Sequence, residues 1–231
     1  TTKDRLIAED PKSAEIIRPI LRGRDIKRYS YDFHDQWLIA SHNGYTNDAG
    51  IQIPRIDIDN YPAIKAHLEK YWDAIVVRTD KGETPYNLRS CAYMDDFSKQ
   101  KIVWGEISDK TKFSIDIQGR YYPEATTFLM TGTDLKYLLA FLNSSFSEYF
   151  FSVAGTTTGM GTVRWKKYKI EQLPIVKPSQ PQLQIVEKLV EAIAKEEYGS
   201  QEYRILEQTI NSAIYKIVGL SDDETQFIES L

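Results

Sequence analysis

The chain has 231 residues, 42% hydrophobic and 12% aromatic, with 29 Lys and Arg against 33 Asp and Glu, a single cysteine and a net charge of −4. That apolar and aromatic content argues against disorder and allows one generous domain, or a domain with an appendage, around a real core. Cys91 has no internal disulfide partner, and His34, His42 and His67 stand too far apart in sequence to form a metal-ligand motif. A reducing, cytoplasmic setting is expected. No apolar run approaches the roughly 20 residues of a membrane span, and no signal-peptide core opens the chain. The start at Thr1-Thr2 rather than Met points to a piece of something longer.

In chain order, short apolar groups between Glu15 and Ser41, with a turn at Arg22-Gly23-Arg24 and the run Trp37 to Ala40, predict strands. A polar loop follows from Ser41 to Gly50. Ile64, Leu68, Trp72 and Ile75 recur at helical spacing and predict one helix over 61–77, with Pro62 in its first turn. Residues 80–100 read as an irregular polar segment. Lys101 to Trp104 predicts a strand, and Phe113 to Ile117 a half-buried one that Gly119 turns. Asp134 is placed to cap a helix over Leu135 to Phe141, reaching as far as Phe151. Strands mixed with helices in this order predict an α+β fold with a mixed sheet.

Beyond Pro181 the pattern becomes that of an antiparallel helical hairpin. Leu183, Val186, Val190 and Ile193 form one narrow apolar seam, and Tyr203, Leu206, Ile210, Ala213, Ile217 and Leu220 form the other. Gly219 ends the second helix, and Ser221 with Glu224 makes a capping box for a third. Residues 1–178 are therefore expected to form one domain and 179–231 a helical spacer or docking hairpin. Charge divides at the same place: 179–231 carries four basic and ten acidic residues, leaving 25 and 23 in 1–178. Within residues 155–178, Arg164, Lys166, Lys167, Lys169 and Lys177 face the single acid Glu171, a patch suited to phosphates.

The phrases IIRPILRGRDIKRY (16–29), KIVWGEIS (101–108), YLLAFLNSSFSEYFF (137–151) and YKIEQLPIVKP (168–178), in this order and spacing, resemble the TaqI-like C-terminal specificity domain. That resemblance implies a target-recognition domain following an adenine-N6 methyltransferase core in single-chain restriction-modification enzymes and phage-defence methyltransferases. The stretch from Gln172 to Ile193 is similar to the point where a type I specificity subunit enters its spacer helix. The motifs look structural, with Gly23 permitting a turn and Pro174 stopping a strand. The resemblance implies double-stranded DNA as partner and N-terminal methyltransferase and nuclease domains in the same protein. S-adenosylmethionine, and Mg for a nuclease, would belong to those domains. The methyltransferase signature Asn-Pro-Pro-Tyr is absent, Thr84-Pro85-Tyr86-Asn87 does not match it, and Glu106 to Lys110 has nuclease residue types at the wrong spacing. This piece alone is expected neither to methylate nor to cut, and to need no cofactor or metal of its own.

Reading duplex DNA requires cations for phosphates and forked donors for base edges, carried on loops. Arg164, Lys166 and Lys167 beside Thr156, Thr157 and Thr158 form the first candidate group. Arg22, Arg24 and Lys27 at the Gly23 turn form the second, with Asp25 as an alternative partner for Arg24 or Arg28. Arg78, Lys81, Tyr86, Asn87 and Arg89 form the third, and His42 with Asn43 the fourth. Two other readings stand beside this one: a protein-interaction module acting through the acidic hairpin, and a hydrolase using Asp57 and Asp59, which a strand would project to one face.

Overall fold

The computed structural model describes residues 1–154 and 163–231. The first part of the chain runs α1 (Thr2–Glu9), β1 (Ile17–Leu21), β2 (Trp37–Ile39), β3 (Tyr45–Thr46), β4 (Gln52–Ile53), α2 (Pro62–Glu69) and α3 (Trp72–Val76). Then come β5 (Lys101–Gly105), β6 (Ile107–Ser108), β7 (Phe113–Asp116), β8 (Tyr122–Pro123), β9 (Thr127–Met130), α4 (Leu135–Asn143) and α5 (Ser145–Ala154). It ends with β10 (Val163–Arg164), α6 (Lys167–Ile170), α7 (Gln180–Ile193), α8 (Gln201–Val218) and α9 (Asp222–Glu229). The expected α+β class is observed, and the chain folds as two compact units.

The first unit comprises Thr1–Ile20, Asp35–Lys99 and Gln118–Tyr122. Thr1 and Asp4 form a capping box that starts α1, a helix not foreseen in the sequence, and α1 buries Leu6. Its core gathers Leu6, Ile16, Ile17, Ile58, Tyr61 and Ile64. Strands β1 and β2 pair antiparallel in the sheet order β2-β1-β8, with Ile17 opposite Ile39. The helix expected over 61–77 is two helices. Tyr71 leaves helical geometry at φ −114°, its N–H closing a tight bond to the Leu68 carbonyl, and Trp72 turns to lie against the Tyr86 ring at 5.4 Å. Periodicity alone does not register that break, because both pieces keep nearly the same spacing.

The second unit comprises Leu21–His34, Gln100–Ile117 and Pro123–Leu231. Its sheet has the order β7-β5-β9, and β5 pairs antiparallel with both neighbours. The registered pairs β1–β2, β3–β4 and β6–β10 are antiparallel too. Strand β7 was expected half-buried, yet Ser114 and Asp116 on its nominally wet face are enclosed. The Lys101 ammonium, itself fully buried on β5, donates to Asp116 at 2.7 Å and makes this tolerable.

Ile102, Trp104, Phe113, Leu139, Phe141 and Leu142 share one core with Val186, Val190 and Ile193 of α7 and Ile210 and Ile214 of α8. The seam residues expected to close only on each other therefore also close on α4 and the sheet. The second unit runs unbroken across the boundary expected near Ser179, and residues 1–178 do not form a unit of their own. Capping follows expectation at Gly219 (φ 84°) and at Ser221 with Glu224, and a capping box not foreseen in the sequence joins Ser179 to Gln182. Asp134 departs from it: the residue is left-handed (φ 53°) and its side chain makes no capping bond. The helix expected to run on to Phe151 breaks at Ser144. Pro174 ends no strand, since it follows α6 and the buried Leu173.

Candidate functional site

In the second unit the Gly23 turn meets the end of β5. A Cβ on Gly23 would lie 3.3 Å from the Gly105 Cα, and one on Gly105 would lie 3.1 Å from the Gly23 Cα, so a side chain at either position would crowd the opposite backbone and glycine at both lets the two pack closely. Above this bare contact opens a cleft of about 630 Å³ walled by Arg24, Glu106, Ser108, Lys112, Glu124 and Thr126. That volume is in the range of small-ligand pockets.

Arg22 also lines the cleft, but its guanidinium is spent on Asp25. Nε donates to Oδ2 at 2.9 Å, Nη2 to Oδ1 at 2.8 Å, and the Arg22 backbone N–H to Oδ2 at 3.0 Å. Burial pushes the Asp25 carboxyl up, and the Arg22 contacts outweigh it and hold it below the usual carboxylate range. The same bond raises Arg22. The partner of Asp25 is thus Arg22, not Arg24 or Arg28. Arg28 instead reaches Glu207 at 3.0 Å and Glu148 at 3.5 Å. Lys27 pairs with Asp32 and lies over the Tyr198 ring. Arg24 is exposed and, among the described residues, has no carboxylate within ion-pair distance.

The segment after β10 is pinned by Trp165. Its backbone N–H donates to the Glu106 carbonyl at 2.8 Å, its carbonyl accepts from Trp104 Nε1 at 2.8 Å, and its indole is buried. With Trp165 turned inward, Arg164 and Lys166 emerge on either side of it. Both reach one carboxylate: Arg164 Nη1 lies 3.3 Å and Lys166 Nζ 4.0 Å from Glu106 Oε1. Lys167 points elsewhere, 3.6 Å from Glu171, and is largely exposed. Thr156, Thr157 and Thr158 lie outside the described residues. Glu106, Lys112 and Trp165 were missed as participants. The Lys101 to Ser108 motif contained the first of them, but nothing local marks a carboxylate whose partners lie 58 and 60 residues away.

The candidates of the first unit are mostly knitted into one another. Asn87 is fully buried; its amide donates to the Ile56 and His42 carbonyls at 2.9 and 3.3 Å and accepts from the Thr84 hydroxyl at 2.6 Å. No donor is left for a base edge. Asn43 accepts from the Glu83 N–H at 2.7 Å and donates to Ser90, and Arg78 holds the Pro85 and Asn87 carbonyls. The Lys81 ammonium rests on the Val76 carbonyl, and Tyr86 donates to Glu69 at 3.2 Å. His42 accepts the Gly44 N–H on Nδ1 at 3.2 Å, and its burial lowers its pKa. These residues shape loops rather than offer contacts. Arg89 is the exception, being exposed with no carboxylate partner among the described residues. Asp57 and Asp59 sit on a 3₁₀ turn, not a strand; one caps the turn and the other pairs with Lys65 at 2.7 Å.

A family model for the TaqI-like C-terminal specificity domain matches residues 18–175. The chain belongs to that family. No curated protein matches it. A solved structure titled as the type IIL restriction-modification enzyme MmeI in complex with DNA is similar in fold, with a TM-score of 0.67 and 14% identity. The match covers 99% of this chain and 33% of that one, so this specificity-domain chain spans about a third of the length of that enzyme's chain. Among the described residues of the domain no three His, Cys, Asp or Glu side chains group as a metal site.

Proposed function

We propose that the chain is a DNA target-recognition domain: it holds double-stranded DNA for an adenine-N6 methyltransferase and an endonuclease carried by N-terminal domains of the same protein. Membership of the specificity-domain family across residues 18–175 carries this reading. S-adenosylmethionine, and Mg for cleavage, belong to those other domains. The setting is the cytoplasm, where the host DNA is. No helix among the described residues is long and apolar enough to cross a membrane.

The physical support lies in the second unit. Arg24 lines a cleft whose floor is bare backbone, and Arg164 and Lys166 adjoin its wall through Glu106, an arrangement that lets a polyanionic strand approach closely. Phosphate contacts position the duplex and base-edge contacts select the sequence. Binding of a duplex carrying the recognised sequence should weaken as salt rises, and Arg164→Ala with Lys166→Ala should reduce the slope of log affinity against log salt by about 2. Salt-independent binding, or an unchanged slope in the double variant, sinks the DNA reading. Mapping N6-methyladenine and double-strand breaks in cells expressing the full-length gene separates a methylating and cleaving enzyme from a methylation-only defence system.

A further inference from the structure

The cations in and beside the cleft are in two different states. Arg24 stands open, whereas Arg164 and Lys166 are drawn to the single carboxylate of Glu106. The backbone of Glu106 is anchored on both sides. Its backbone N–H donates to the Thr126 carbonyl at 3.0 Å and its carbonyl accepts from Trp165, so the backbone that carries the acid is fixed beside the strand that carries Arg164. Lys112 is likewise paired with Asp109 at 2.7 Å. An acid placed among cations repels phosphates that arrive without displacing it.

We infer that the cleft seats the DNA backbone, with Arg24 as its standing phosphate contact and Glu106 as a specificity-determining gate. Resting on the DNA reading above, the inference goes further by naming the site and its control. Glu106 occupies Arg164, and at longer range Lys166, offsetting one of their two charges until a correctly seated duplex offers phosphates that outcompete it. A duplex that seats poorly meets one free guanidinium and a carboxylate. Sequence-independent binding is therefore kept weak without removing any cation from the site.

The test measures binding of a scrambled-sequence duplex to the chain over a salt series, by fluorescence anisotropy, with thermal unfolding alongside to show each variant folded. Glu106→Gln should tighten binding about two- to five-fold and steepen the salt slope by about 1, because the charge that Glu106 offset becomes free for phosphates. Arg24→Ala should weaken binding and make the slope shallower by about 1. In an Arg164→Gln, Lys166→Gln background, Glu106→Gln should change nothing, since the gate acts through those side chains. If either single variant shifts the other way or not at all, or if Glu106→Gln still tightens binding in that background, the inference is overturned. Where the unaltered chain binds duplex in a salt-dependent manner, such a result leaves the DNA reading standing. Where the unaltered chain does not bind, both fall.

Discussion

At the scale of single residues, chemistry was easier to name than availability. Asn87 and Arg89 stand two apart in one loop with side chains equally suited to base edges, yet Asn87 is enclosed with its amide satisfied while Arg89 is exposed. Arg22 and Arg24 flank one glycine, and Asp25 takes the first and leaves the second. His42 gives a residue-scale prediction. Burial lowers its pKa, and Nδ1 can accept the Gly44 N–H only while unprotonated. The unfolded chain thus takes up this proton first as pH falls, so the stability contributed by the neutral ring is complete above about pH 6.5 and is lost below it. His67, lowered first by burial and then by Arg5 and Lys70, acts in the same direction. Urea unfolding at pH 7.5 and pH 5.5 should show this loss, and His42→Asn, which keeps an acceptor for the Gly44 N–H without titrating, should lose less. An equal loss in that variant would refute the assignment.

At the scale of elements, the sequence showed which segments form strands and helices wherever one periodicity ran uninterrupted, as in β5, α7 and α8. It did not show the breaks at Tyr71 and Ser144, where apolar residues continue on both sides and the chain bends for tertiary reasons. Nor did the alternation in β7 reveal that both its faces are covered. That covering makes Lys101 and Asp116 the pair most sensitive to substitution. Asp116→Ala should cost about 3 to 5 kcal/mol by stranding a buried ammonium, whereas Lys101→Met with Asp116→Leu should cost much less. Denaturant unfolding of the three proteins checks this. Equal destabilisation of the single and double variants would show that the pair's packing, rather than its charge, sets the cost.

At the scale of the whole molecule, the expected division at Ser179 placed the hairpin outside the recognition domain. Instead Val186, Val190, Ile193, Tyr203, Ile210 and Ile214 are built into the core that holds Trp104, Phe113 and Phe141. Each buried apolar side chain of this size contributes about 1.5 to 3 kcal/mol, so removing six exceeds much of the roughly 5 to 15 kcal/mol that keeps a domain folded. A chain ending at Pro178 should lose its near-ultraviolet circular dichroism and become sensitive to protease. Retention of a cooperative unfolding transition would restore the hairpin to the status of an appendage.

The sequence by itself determined the family, the α+β class, the helical hairpin with its caps, and the basic character of residues 164–177. Each of these is written in neighbouring residues, through periodicity, capping chemistry and ordered motifs. Tertiary structure alone decided which cations stand free, which asparagine is buried and where the compact units divide. Those depend on partners far apart along the chain: Glu106 reaches Arg164 across 58 residues, and Asn87 donates to His42 across 45. A charge becomes available for binding only when folding leaves it without a partner, and no local pattern records that.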